Sequence, residues 1–255
     1  MKLPVIRGVI DRRILVNYRV DPNVLAPLLP APFRPKIVHG VGLVGICLIR
    51  LKCVRPALCP SWLGISSENA AHRVAVEWDD GGTAREGVYV RRRDTDSRLN
   101  ALAGGRLFPG IHHHARFTVQ ESAEHYAVAL RSDDGATSMS VRARRTAQWP
   151  ASSCFGALDE ASRFFQAGSL GYSATADPCR FDGLELRCLN WQVQPLAVEQ
   201  VQTSYFDDES LFPRGSIEFD CALLMRGIEH EWHGKPDLYA RKERPDEICR
   251  AAAHV

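Results

Sequence analysis

The sequence predicts an α+β protein built mainly from antiparallel strands. Three observations lead there: many short segments alternate apolar and polar residues, turn signals of the "DDGG" and "DDG" kind join some of them, and only two or three stretches carry helical caps. With 255 residues, 45% hydrophobic and 24% charged, the chain is long enough for one sizeable domain, and 1–255 is read as a single unit.

The first strand is "RRILVNYRV". A short helix follows in "DPNVLAPLLP", with Asp21 as N-cap, Pro22 at the first helical position and Pro30 as terminator. "VGLVGICLIRLKCV" is apolar at nearly every position, the pattern of a strand covered on both faces. "ISSENAAHRVAVEW" and "EGVYVRRR" form a hairpin across "DDGG". "DSRLNALAGG" should be a short helix capped by Asp96. Then come the strands "IHHHARFTVQ", "HYAVALRS" and "ATSMSVRARR", the helix "LDEASRFFQAG", and the strands "FDGLELRCL", "WQVQPLAVEQVQ" and "SIEFDCALLMRGIEHEW". A curved sheet or barrel is the expected outcome.

Composition excludes several function classes. A net charge of +2 is too small to argue for nucleic acid or an anionic membrane; aspartates interrupt the arginine-rich "YVRRRDTDSR", and alternation makes "SVRARR" read as a solvated face. No segment reaches the ~18 apolar residues of a membrane-spanning helix. The N-terminus lacks a signal-peptide pattern, so a cytoplasmic, reducing setting is expected, with the eight cysteines as buried free thiols. Lysine is scarce: none occurs between Cys53 and Gly234.

Candidate chemistry centres on three consecutive histidines. Alternation in "IHHHARFTVQ" puts His113 with Ile111, Ala115 and Phe117 on the apolar face, and His112, His114 and Arg116 on the polar one. In "ENAAHRVAVEW" it puts Glu68 and His72 at the polar end of an apolar face, opposite Asn69 and Arg73. An ionisable group on an inner face must be paired, neutralised or functional. His112 and His114 could both ligate a metal, with Glu68 or His72 completing the site, but no independent second ligand pair is visible, and no metal or other cofactor is expected. "HEWHG" misses HExxH by one position, and no GxSxG occurs.

The order of "ILVNYRVDPNVLAPLLPAPFRP", Glu68 in "ISSENAAHRVAV", "DTDSRLNALAGGR", His114-Ala115-Arg116-Phe117 and "FPRGSIEFDCALLMRGIEHEWH" resembles the acetoacetate decarboxylase-like superfamily, and within it the uncharacterised YqjF-like family. The resemblance spans most of residues 10 to 245. It implies a cone-shaped β-barrel around one pocket, with a pocket glutamate near Glu68. Laid on without gaps, the superfamily's arginine falls on Arg106 and its lysine pair on His113 and His114.

The missing lysines decide the chemistry, because imidazole cannot form the iminium that a Schiff-base decarboxylase requires. The resemblance therefore implies a pocket for a small organic acid or carbonyl compound without Schiff-base decarboxylation. Glu68, His113 and His114 are the candidate catalytic groups, and Arg106, Arg116 and His72 the candidate ligand-binding groups. A metal-dependent enzyme and a non-catalytic sensing protein are the alternatives, and a homodimer is the expected assembly.

Overall fold

The computed structural model describes residues 4–105 and 108–240, so the expected ligand group Arg106 lies outside the described residues. The strands are β1 (Ile6–Val20), β2 (Arg34–Pro35), β3 (Ile37–Val38), β4 (Val41–Pro56), β5 (Ile65–Asp80), β6 (Thr83–Thr95), β7 (His112–Glu121), β8 (His125–Ser132), β9 (Ser138–Arg145), β10 (Leu170–Ala174), β11 (Arg180–Cys188), β12 (Gln194–Thr203) and β13 (Ile217–Tyr239). The helices are α1 (Pro22–Leu25), α2 (Arg98–Ala103) and α3 (Leu158–Ala167). Asp21 caps α1, as expected. In α2 the cap is Ser97, which accepts from Asn100 N, while Asp96 accepts from Glu68 N at 3.0 Å instead.

The pairings close a ring. Following neighbours gives β13–β1–β4–β5–β6–β10–β11 and back to β13, antiparallel throughout except for β10 beside β6. This ring is the structural form of the expected barrel. A second circuit shares its wall: β6–β7–β8–β9–β12–β13 closes against β1, β4 and β5. The five strands β13, β1, β4, β5 and β6 therefore have ring interior on both sides.

That shared wall explains the continuous apolar run of β4. Val44, Ile46 and Leu48 enter one core with Ile14, Val16, Val128, Val141 and Leu224, while Leu43, Cys47 and Ile49 enter a second core with Leu15, Leu223, Met225 and Phe165. Each buried aliphatic side chain contributes roughly 1.5–3 kcal/mol, so a central strand filled on both faces anchors both rings. Gly45 is required at the closest approach of β4 to β1, where a Cβ would lie 2.3 Å from the Val16 carbonyl oxygen.

Two bulges set which residues face which ring. On β1 the register against β4 slips between Ile10 and Arg12, turning Ile10 toward the seven-stranded ring and Arg12 toward the larger one. On β6 the slip falls opposite His72 and Arg73, which pair with Arg92 and Val90, leaving Arg91 as the extra residue. A bulge re-aims the side chains that follow it, and Arg93 consequently sits on the Ala71 side of the wall.

Candidate functional site

The expected site residues lie apart from one another. Glu68 continues the face of Ala70 and His72 into the larger ring, where Arg12 and Arg50 stand beside it in register on β1 and β4. Both of its oxygens are taken: Arg12 Nη2 donates to Oε2 at 2.6 Å and Arg50 Nε to Oε1 at 2.5 Å. Glu121 of β7 closes the square, accepting from Arg12 at 3.2 Å and Arg50 at 2.7 Å. Burial opposes ionisation of Glu121, yet Arg12, Arg50 and Arg226 hold its carboxyl below the usual range. Arg12 is fully buried, so the square neutralises a charge that could not stand alone in the core.

His72, on the same face, is neutralised rather than paired. It is fully enclosed, makes an edge contact with the Tyr205 ring at 5.5 Å, and neither ring nitrogen has a hydrogen-bond partner. Burial, with Arg92 and Arg91 nearby, pushes its pKa down to about 3.

The histidine strand differs from strict alternation. Only residues 115 to 121 of β7 pair with β8, whereas His112, His113 and His114 pair with Arg93, Asp94 and Thr95 of β6 in parallel. The covered face that holds Ala115 does not extend to His113. His113 is 37% exposed at its side chain and faces Asp134 at 3.1 Å, correcting the expectation that it points inward. His114 Nδ1 lies 2.7 Å from Asp133, and Arg116, 85% exposed, lies 3.4 Å from the same carboxylate.

His112 is the histidine that turns toward the ring. Its Nδ1 meets the Gly110 carbonyl at 3.0 Å, its ring stands edge-on to Phe108 at 5.6 Å, and a Cβ on Gly104 would lie 2.4 Å from Nδ1. Desolvation, aided by Arg93, pushes its pKa down to about 3. Phe108 in turn stands 5.5 Å from Trp232, and Trp232 stands 4.5 Å from His230. His230 is 2% exposed, and neither of its ring nitrogens meets hydrogen-bond geometry with a protein group. Burial pushes its pKa down to about 4, against a smaller opposing effect of the Ile228 backbone.

The face of the wall opposite Glu68 and His72 carries arginines. Arg13 Nε donates to Cys47 Sγ at 3.2 Å. Arg73 Nη2 donates to Asn17 Oδ1 at 2.5 Å, its guanidinium lies over Phe165 at 5.0 Å, and its Nε has no partner. Arg93 donates twice to Ser173 Oγ, at 3.1 and 2.9 Å. Among the described residues no carboxylate forms an ion pair with any of the three; Asp182 acts on Arg93 only at longer range. Arg73 and Arg93 are surrounded by protein, which pushes each pKa down to about 10, so both remain charged at neutral pH. Both keep some accessible surface. A narrow cleft of about 20 Å³ reaches Arg73 between α3 and the ring, with Lys36, Phe164 and Gly168 at its sides.

Among the described residues no three His, Cys, Asp or Glu side chains gather as metal ligands, and no helix is long and apolar enough to cross a membrane. Cys47 and Cys221 are buried, but Cys53 is exposed, so the thiols are not uniformly interior. Lys52 is half-exposed and paired with Asp11 at 2.8 Å.

Comparison with known proteins agrees with the topology. The model of a family described as an uncharacterized conserved protein, DUF2071, matches residues 10–227. No curated protein matches the chain. Among solved structures, acetoacetate decarboxylase from Legionella pneumophila superposes with a TM-score of 0.58 at 12% identity, covering 91% of this chain and 87% of that one. An acetoacetate decarboxylase-like enzyme from Sphingomonas wittichii RW1 gives 0.57 at 14% identity, covering 94% and 93%. The enduracididine biosynthesis enzyme MppR, complexed with pyruvate, gives 0.55 at 12% identity, covering 96% and 93%. At these identities the likeness establishes the fold.

Proposed function

The chain belongs to the DUF2071 family of uncharacterized conserved proteins and has an acetoacetate decarboxylase-like fold, and from that premise we propose that it binds a small organic acid or carbonyl compound inside the seven-stranded ring. One observation carries the reading: Arg13, Arg73 and Arg93 converge on the ring interior without an ion-paired carboxylate among the described residues. Buried charge is costly unless balanced, and a ligand carboxylate supplies the missing balance through charge-assisted hydrogen bonds. His112, beside Arg93 in register and neutral at physiological pH, is the donor for a carbonyl or hydroxyl oxygen on the same ligand.

The binding of pyruvate by MppR, a structural neighbour, supports a small oxo acid as the first compound to try. In this reading Glu68 acts by balancing Arg12 and Arg50, and His113 and His114 fix the turn carrying Asp133 and Asp134. Schiff-base chemistry has no part in it.

Thermal unfolding in the presence of pyruvate, with uncharged acetone as control, tests the proposal. Saturating pyruvate at about 100 times its dissociation constant adds about 2.7 kcal/mol, a rise of roughly 5–10 °C for a domain of this size. Arg73→Gln and Arg93→Gln, each compared with its own ligand-free melting temperature, should weaken binding about 10- to 100-fold. Equal shifts with acetone, or undiminished shifts in both variants, reject the site.

A further inference from the structure

The ring interior holds a nucleophile, the thiol of Cys47. It is 5% exposed and lies midway along β4, between Leu15 of β1 and Ala71 of β5 in register. Arg13 donates to its sulfur at 3.2 Å, and Arg73 and Arg93 both lie within its electrostatic reach. Gly45, two residues away on the same face, has no side chain to cover it. Arg73, within electrostatic reach of the thiol, also carries a buried Nε with no hydrogen-bond partner. A thiol beside guanidiniums that have no ion-paired carboxylate among the described residues, one of them with an unsatisfied buried N–H, is arranged to receive an electrophilic carbon that arrives attached to an anion.

We propose that Cys47 adds reversibly to the carbonyl carbon of an oxo acid held by Arg13, Arg73 and Arg93. The inference rests on the ligand reading above. In the step, the Cys47 sulfur forms a bond to the carbonyl carbon, and the C=O π pair moves onto oxygen. The thiol proton ends on that oxygen, giving a hemithioketal. Nothing is oxidised or reduced, and no group leaves. The ligand carboxylate stays on the guanidiniums, so the carbonyl carbon next to it is presented to sulfur at close range.

Competitive alkylation of the native protein reads this directly. Iodoacetate mimics the ligand, with a carboxylate one carbon from the electrophile, whereas iodoacetamide is neutral. Peptide mass mapping should show Cys47 modified about tenfold faster by iodoacetate than by iodoacetamide, a preference supplied by one charge-assisted contact. Exposed Cys53 is the internal control and should show no such preference. Pyruvate should protect Cys47. In carbon-13 spectra, pyruvate labelled at C2 should show a bound resonance of a tetrahedral carbon in place of the carbonyl, absent in Cys47→Ser. If pyruvate raises the melting temperature but Cys47 is unreactive, or reacts faster with iodoacetamide, the thiol proposal fails and the binding site stands. Persistence of the tetrahedral resonance in Cys47→Ser also overturns it. If pyruvate neither stabilises the protein nor protects Cys47, both readings fail together.

Discussion

Glu68→Gln should lower the free energy of unfolding by about 3–5 kcal/mol, because it leaves Glu121 alone to balance two guanidiniums, one of them fully buried. Arg12 is fully buried, and its shorter contact is the one to Glu68, with Glu121 remaining at 3.2 Å. Arg50 loses its 2.5 Å partner in the same change. Replacing Arg12 and Glu68 together by Met and Leu removes the charge along with its partner, and should restore much of the loss. Urea unfolding of the two variants measures both effects. A Glu68→Gln protein of unchanged stability that no longer binds pyruvate would instead make Glu68 a ligand-contacting group.

Acid should unfold the protein through its buried imidazoles. His72 and His112 have pKa values pushed down to about 3 and His230 to about 4, whereas an unfolded histidine titrates near 6.5. Above pH 6.5 both states are neutral and these groups favour neither. As pH falls below 6.5 the unfolded chain takes up protons that the folded one refuses, so stability is lost down to about pH 3–4. At pH 5 the loss is about 2 kcal/mol per histidine, roughly 6 kcal/mol in sum. Asp94 and Asp96 act in the opposite sense, since burial raises their carboxyls and lets the folded state bind protons. His72→Phe keeps the edge contact with Tyr205 and removes one titration. Its stability should fall less steeply with acid, by about 1.4 kcal/mol per pH unit between pH 6 and 4. Parallel slopes for wild type and variant would show that His72 does not titrate this way.

Much of the fold was legible because strand patterning survives in short words. The hairpin at "DDGG", the cap at Asp21 and the apolar run of β4 all stand where the sequence puts them. Alternation also separated Glu68 and His72 from Arg73 correctly. The error lay in assigning interior to one face alone. In a wall shared by two rings both faces are interior, and the polar face of β5 holds Arg73 inside the smaller ring rather than in solvent.

Two further misreadings have local causes. The run "YVRRRD" reads as arginines interrupted by an aspartate, with nothing to say which of them is interior; a bulge at Arg91 turns Arg93 inward, and a one-residue slip leaves no mark in composition. The histidine strand obeys alternation only where β8 covers it. Beyond Ala115 the parallel pairing with β6 takes over, and His112 rather than His113 approaches the ring. A signal was nevertheless present: Arg13, Arg73 and Arg93 stand in segments otherwise made of strand-forming residues, the positions where an unbalanced charge asks for a partner.

The central claim is that these guanidiniums hold a carboxylate. A crystal soaked with pyruvate addresses it most directly. The account expects the carboxylate within hydrogen-bond distance of Arg73 and at least one of Arg13 and Arg93, with the adjoining carbon facing Cys47. Pyruvate bound instead beside Glu68 or His113, with the ring interior filled by water alone, would contradict it.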